Sequence, residues 1–286
     1  MNNASIGDNT SAYGMCYFGS NTTCIEPFRP FPNKFRVAPK YKLAACVIEK
    51  SMSTLLAAIM CLLYDADAFQ KAERALHTEL YHKRFCKDKN ELIAIRPYMK
   101  KFPTTKLFAI VRDPMERFIS GFVDKCIREV SEKPERCYGC DRNLTCFMQK
   151  QFYRMLLYQK GSGKYISFED IHFNPQNWHC NFRDHHLHYK IIKYGSAGDA
   201  NKEMVNNLIG LFQESGVETN LLKAIDKSIT DSRTPHATNK LDERTIFEQQ
   251  LKSDPKLLEM LIQMYYYDYL LFGYELPSLS PAPLSL

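Results

Sequence analysis

Two short stretches of the chain carry cationic and hydroxyl side chains at a spacing that suits an anionic ligand. The first is residues 49–54, EKSMST, in which Lys50 supplies a positive charge and Ser51, Ser53 and Thr54 supply hydroxyl donors. A polar loop that leads into a helix also presents the unpaired backbone N–H groups of the first helical turn, where the helix dipole favours an anion. The stretch therefore predicts a site for a phosphate-like group.

The second stretch is residues 107–125, LFAIVRDPMERFISGFVDK. Arg112, Arg117 and Ser120 form a cluster of anion donors at the start of a helix, and Pro114 is suited to the first turn of that helix. Lys50 and Arg112 are about sixty residues apart in the chain. Two anion sites on separate segments suit one ligand that carries two separated anionic groups.

Each stretch follows a short apolar run that is typical of a buried strand, Leu43–Ile48 for the first and Leu107–Val111 for the second. An apolar helix is predicted for Leu55–Tyr64. Ligands of open α/β sheets bind beyond the carboxyl ends of the strands, so the two stretches are expected at one edge of a sheet. The first loop contains no glycine and is not a Walker A loop. The alternative is an ordinary helix start with Ser51 or Ser53 as the N-cap.

The two motifs resemble those of a known family. K-x-x-S-T from Lys50 and R-D-P-x-x-R-x-x-S from Arg112, each between a strand and a helix, are similar to motifs of the sulfotransferases that use 3′-phosphoadenosine 5′-phosphosulfate (PAPS). The closer resemblance is to Golgi carbohydrate sulfotransferases, in the nematode branch related to chondroitin 4-O-sulfotransferases. Residues 173–178 with Cys180, and residues 267–274, extend the resemblance over most of the chain.

The resemblance implies a role for each motif. The 5′-phosphosulfate would be held by the loop residues Lys50, Ser51, Ser53 and Thr54, and the 3′-phosphate by the cluster of Arg112, Arg117 and Ser120. Gln176 and Trp178 would line the site of the acceptor sugar. The implied fold is one α/β domain with a central, mainly parallel sheet flanked by helices, similar to P-loop kinases. No metal is expected, because lysine and arginine supply the cations.

Sulfuryl transfer to a sugar hydroxyl also needs a base, and Lys50 would stabilise charge on the leaving phosphate. The interval between the two motifs offers His77, Glu79 and His82 as bases. The resemblance favours His82, which lies at about the family's distance before the arginine motif. The alternative is that both histidines are ordinary surface residues.

The ten cysteines and four N-glycosylation sequons, at Asn3, Asn9, Asn21 and Asn143, favour a glycoprotein of the secretory lumen, and the resemblance implies the Golgi lumen or membrane. Cys46 and Cys61 lie in apolar segments and are expected to be buried free thiols. A Cys16–Cys24 bridge is expected. The four cysteines between residues 126 and 146 suit disulfides better than a zinc site, because a second C-x-x-C pair is missing.

Composition sets the remaining limits. A net charge of +6 over 286 residues suits an anionic ligand or a polyanionic sugar chain and is too weak to indicate nucleic acid. The longest apolar run, Leu55–Leu63, is too short to span a membrane. Residues 1–36 are expected to form a flexible lumenal stem, residues 37–277 the sulfotransferase domain and residues 278–286 a disordered tail.

The resemblance implies transfer of a sulfuryl group from PAPS to a glycosaminoglycan, with O-4 of N-acetylgalactosamine in chondroitin as the acceptor. One alternative is a lumenal protein that binds PAPS or glycan and has lost turnover. Its basis is that the family usually has Pro-Lys-x-Gly in the first loop, where this chain has Glu49 and Met52. A nucleotide phosphotransferase is a weaker alternative, because the glycine-rich loop is absent.

Overall fold

A five-stranded sheet forms the centre of the fold. The computed structural model describes residues 15–16, 23–79, 83–162, 165–231 and 242–279. The strands are β1 (Phe35–Ala38), β2 (Leu43–Cys46), β3 (Glu91–Leu92), β4 (Lys106–Val111) and β5 (Tyr189–Lys193), in the spatial order β3-β1-β2-β4-β5. The pairs β2–β4 and β4–β5 are parallel, whereas β1 is antiparallel to both its neighbours. The α/β prediction is confirmed. The sheet is mixed because only a short turn joins β1 to β2, which forces an antiparallel pair.

Helices cover both faces of this sheet. The α-helices of the described residues are α1 (Ser53–Tyr64), α2 (Ala66–Lys71), α3 (Arg96–Lys101), α4 (Pro114–Phe122), α5 (Leu144–Gln159), α6 (Phe168–Phe173), α7 (Phe182–His185), α8 (Gly198–Gln213), α9 (Thr219–Asp231), α10 (Asp242–Ser253) and α11 (Pro255–Phe272). A π-helix, Val123–Arg128, continues directly from α4.

The alternation of side chains along β4 explains the layers. Phe108 and Ile110 pack with α1, α8 and α9, while Leu107, Ala109 and Val111 point to the opposite face, toward α3, α7 and the end of α11. Successive residues of a strand point to opposite faces, so a strand that is apolar throughout is buried on both sides. The continuous apolar run seen in the sequence is therefore the signature of a central strand.

A third apolar cluster lies beside the sheet and holds α4 in place. Phe118 and Phe122 of α4 pack against Phe147 of α5 and Phe247 of α10, and Tyr265 of α11 contacts Phe118. Aromatic pairs of this kind contribute about 0.5–1.5 kcal/mol each beyond their burial. The helix that follows the second anion motif is therefore fixed by packing.

The N-terminal segment differs from the expected stem. Ile25 is buried and its N–H donates to the carbonyl of Gln263 at 2.9 Å, and the Trp178 indole N–H donates to the carbonyl of Glu26 at 2.8 Å. Residues 23–36 thus pack on the domain, because their aromatic and aliphatic side chains find an apolar surface there. Residues 1–14, 17–22 and 280–286, which include most of the predicted stem and tail, lie outside the described residues.

All ten cysteines form disulfides. The pairs are Cys16–Cys24, Cys46–Cys180, Cys61–Cys86, Cys126–Cys137 and Cys140–Cys146. The Cys16–Cys24 prediction is confirmed, and so is the preference for disulfides between residues 126 and 146. The prediction that Cys46 and Cys61 are free thiols is wrong. Both lie in apolar elements, as expected, but each is covered by a distant segment that carries its partner.

Candidate active site

The two anion motifs lie side by side at one edge of the sheet. In the parallel pair β2–β4, Cys46 is opposite Ala109, so the segments that follow the two strands emerge at the same edge. The Arg112 guanidinium reaches across and its Nη1 donates to the carbonyl of Lys50 at 3.2 Å. The predicted convergence of the two motifs is therefore observed.

The first loop turns sharply into α1. Lys50 and Met52 both adopt left-handed backbone conformations, with φ of 67° and 61°. Met52 is the N-cap of α1 and offers no side-chain cap, so the alternative in which Ser51 or Ser53 caps the helix is wrong. Ser53 and Thr54 are half-buried in the first turn. Because no side chain caps α1, the backbone N–H groups of its first turn are available to bind an anion.

Gln176 fastens the two motifs to each other. Its side-chain oxygen accepts from the Arg112 backbone N–H at 2.9 Å and from the Ser51 hydroxyl at 3.2 Å, and its amide donates to the Arg112 carbonyl at 2.7 Å. Asp268 of α11 in turn accepts the backbone N–H groups of Gln176 and Asn177 at 2.7 and 2.8 Å. These groups are buried, and buried polar networks with all partners present rigidify a site.

Lys50 is held in a buried ion pair. Its ammonium lies 2.9 Å from Asp124 of the π-helix, and the side chains of the two residues are 7% and 3% exposed. Burial lowers the pKa of Lys50 to about 8, although Asp124 opposes this shift. Single-turn π-helices are frequent at functional sites. Asp124 was not identified from the sequence, where the segment reads as a simple continuation of the preceding helix.

Arg112 belongs to a second charged group. Its guanidinium contacts Glu116 at 3.3 Å and lies 4.6 Å from the centre of the Tyr194 ring. Arg244 of α10 approaches the same Glu116 at 3.7 Å. Burial lowers the pKa of Arg112. Arg244 is a cation that sequence reasoning missed, because nothing in the local sequence of α10 indicates that it packs beside Arg112.

Comparison with known proteins shows which family has a sequence of this kind. The sequence pattern of the sulfotransferase family matches residues 33–275, which is most of the chain. The chain belongs to the sulfotransferase family. A family of this kind uses a sulfuryl donor, generally PAPS. The assignment agrees with the resemblance seen in the two anion motifs.

Relatives of this sulfotransferase occur in Caenorhabditis elegans. The carbohydrate sulfotransferase chst-1 is 35% identical over 263 residues, which cover 90% of this chain and 80% of the relative. An uncharacterized protein of the same organism is 36% identical over 271 residues, covering 91% of this chain and 74% of the relative. No solved structure matches the chain at a significant level.

The described residues fit a donor with separated anionic groups. The first turn of α1 lacks a side-chain cap, and the Lys50 ammonium lies in the loop just before it. Near Arg112, the Nη1 atom of Arg244 is buried and has no hydrogen-bond partner among the described residues. Such a buried donor group is costly unless something binds it, and an anion would satisfy it.

Not every predicted donor contact faces an open site. Arg117 is 1% exposed, and its guanidinium donates to the carbonyls of Glu49 and Asn174 at 2.9 Å each. Arg117 therefore stabilises the backbone of the first loop and does not face the open site. Ser51 is also buried and is bonded to Gln176, while Ser120 is buried in α4.

The three predicted bases, His77, Glu79 and His82, differ in their position and exposure. His77 is exposed and lies near Leu62, close to the far end of α1 from the loop. Glu79 is buried against Arg74 and the backbone N–H of Phe85. His82 lies outside the described residues.

Gln176 and Trp178 are 0% and 2% exposed, so the structure gives both predicted acceptor contacts protein partners instead. Among the described residues, no group of histidine, cysteine and acidic side chains could hold a metal ion. Within that same part of the chain, no helix has the length and apolar character needed to cross a membrane.

Proposed function

We propose that this sulfotransferase moves a sulfuryl group from PAPS to a hydroxyl of a glycosaminoglycan, namely O-4 of N-acetylgalactosamine in chondroitin. The observation that carries the donor assignment is the contact of Arg112 with the Lys50 carbonyl, which joins two cationic loops at one sheet edge. A carbohydrate acceptor is supported by the likeness to carbohydrate sulfotransferase chst-1. The choice of chondroitin rests on the sequence resemblance alone.

The proposal gives each donor contact a physical task. Lys50, Ser53, Thr54 and the N–H groups of the first turn of α1 would bind the 5′-phosphosulfate, which supplies the sulfuryl group when bound. Lys50 would stabilise the negative charge that develops on the phosphate, as positioned cations do in related transfers. Arg112 would bind the 3′-phosphate, with Arg244 as an additional cation beside Arg112, and Ser120, although buried in α4, would contribute its hydroxyl to the same phosphate.

We propose His82 as the base that removes the proton of the acceptor hydroxyl. His82→Ala is expected to reduce turnover by at least 100-fold while leaving donor binding intact. His77→Ala is the matched control, since His77 is exposed at a distance from the loop. Full turnover by His82→Ala would exclude His82 as the base.

The Golgi lumen or membrane is the proposed location. Five disulfides support an oxidising compartment, because such bonds are rare where thiols are kept reduced. Treatment of secreted or membrane fractions with an N-glycosidase would test the same assignment, because the exposed sequon residue Asn143 should carry a glycan there.

Calorimetry with 3′-phosphoadenosine 5′-phosphate tests the donor site. Micromolar binding by the unmodified protein and loss of at least tenfold in Lys50→Ala and in Arg112→Ala is the expected result. Lys100→Ala and Arg183→Ala remove exposed cations and should bind normally. Absence of binding by a folded protein would refute the assignment.

Transfer of labelled sulfate from PAPS to desulfated chondroitin, followed by disaccharide analysis, tests the acceptor. The proposal expects 4-O-sulfated N-acetylgalactosamine as the product. Donor binding without transfer to chondroitin, dermatan or heparosan would instead support the protein that binds the donor and has lost turnover.

A further inference from the structure

The pairing of Lys50 with Asp124 raises a question about how the donor binds. The Lys50 ammonium must contact the donor phosphate, yet in the structure it lies 2.9 Å from a carboxylate that is itself buried. An anion bound to the Lys50 ammonium would lie close to the Asp124 carboxylate, and the two negative charges would repel each other. Lys50 must therefore leave Asp124, or share its charge, when a donor binds.

The π-helix supplies a second partner for the same carboxylate. The Lys125 ammonium lies 2.9 Å from the same Asp124 oxygen, Oδ2, and 2.5 Å from Glu129 one turn later. Breaking a buried ion pair is strongly destabilising when it leaves a charge without compensation. Because Lys125 remains beside it, Asp124 would stay paired after Lys50 moved to an anion.

We propose that Asp124 is a positioning residue that holds the Lys50 ammonium before the donor binds and exchanges it for the donor's 5′-phosphate. The inference rests on the proposed function of the loop. Asp124 keeps the buried lysine charged and pointed into the site, and Lys125 makes the exchange possible. The carboxylate thus favours a protonated lysine but competes with the ligand for it.

The charges around Lys50 predict how each variant shifts its titration. Asp124 raises the pKa of Lys50, while Lys125 of the π-helix and Arg112 after β4 lower it. His172 of α6 also interacts electrostatically with Lys50, and burial lowers the pKa of His172, so this ring is neutral near pH 7. Removing the charge of Asp124 should lower the pKa of Lys50, and removing Lys125 should raise it.

The test is calorimetric titration with 3′-phosphoadenosine 5′-phosphate between about pH 6 and pH 9.5, spanning the Lys50 pKa of about 8. In the unmodified protein, affinity should fall as pH rises through that value. Asp124→Asn should move this fall to lower pH, and at the acidic limit it should bind about tenfold more tightly, a change of about 1.4 kcal/mol. Ionisation of the ligand is common to all variants and cancels in the comparison.

Two further variants make the result independent of one substitution. Lys125→Met should move the fall in affinity to higher pH and weaken binding, because Asp124 then loses the ammonium that competes with Lys50 for its Oδ2 atom. Glu214→Gln changes an exposed carboxylate that pairs with Lys106 at the opposite end of β4 from Arg112, and it should behave as the unmodified protein. Thermal melts would establish that each variant is folded.

The outcomes separate this inference from the function on which it rests. Binding by the unmodified protein with the same pH dependence in Asp124→Asn and Lys125→Met would overturn the exchange and leave the donor site standing. An equal shift in Glu214→Gln would also overturn it, because the effect would then be one of general charge. Absence of binding by the unmodified folded protein would overturn both.

Discussion

Gln176 offers a direct test of whether the segment after α6 supports the donor site or contacts the acceptor. The substitution Gln176→Met keeps the length of the side chain and removes its three hydrogen bonds to Arg112 and Ser51. The N–H and carbonyl of Arg112 would then be buried without partners, while the Ser51 hydroxyl can rotate. At roughly 1–3 kcal/mol for each of these two unsatisfied groups, the free energy of unfolding should fall by about 2–6 kcal/mol.

The assay is urea denaturation combined with calorimetry of 3′-phosphoadenosine 5′-phosphate. Donor affinity should fall together with stability, since Arg112 and the first loop lose their common anchor. Gln159→Met is the matched control, because the Gln159 oxygen accepts its hydrogen bond from Glu26 at the surface. That change should cost less than about 1 kcal/mol. The reasoning is refuted if Gln176→Met preserves stability and donor affinity and only raises the KM for the acceptor.

Three other predictions follow from the loop and the disulfides. Lys50 loses its proton as pH rises through about 8, so kcat/KM for the donor should decline above that pH, and Lys50→Arg should abolish this decline in a pH–rate profile. Met52 has φ of 61°, so denaturation should find Met52→Gly about 1 kcal/mol more stable than Met52→Ala, the reverse of the order in a helix interior. The Cys46–Cys180 and Cys140–Cys146 bridges span 134 and 6 residues, so replacing the first pair with alanine should lower the free energy of unfolding by about 2–3 kcal/mol more than replacing the second.

The parts of the fold that follow from local sequence were predictable. The apolar run Leu107–Val111 is β4 (Lys106–Val111), and Pro114 begins α4 as its chemistry indicates. The convergence of Lys50 and Arg112 followed from a general rule about the carboxyl ends of parallel strands. None of these predictions needed knowledge of a distant contact.

The parts that failed depend on distant contacts. The buried position of Cys46 was predicted, but its partner Cys180 lies 134 residues away and no local pattern indicates the pairing. Gln176 was predicted to line the acceptor site, and local sequence does not indicate its burial against Arg112, which depends on how α11 presents Asp268. The family usually has a glycine in the first loop where this chain has Met52, and the structure shows that Met52 adopts the left-handed conformation that glycine favours.

The span of the Cys46–Cys180 bridge also bears on how the chain matures during synthesis. The Cys61–Cys86, Cys126–Cys137 and Cys140–Cys146 bridges span 25, 11 and 6 residues, and each can close before Cys180 leaves the ribosome. Cys46, which precedes the first loop, is synthesised long before Cys180. During that time it can form non-native disulfides with cysteines that are nearer in the chain. We therefore expect the Cys46–Cys180 bridge to form late in oxidative folding, and its rate of formation should depend on a disulfide isomerase. A cell that lacks this catalyst should accumulate chains in which Cys46 and Cys180 are not yet paired.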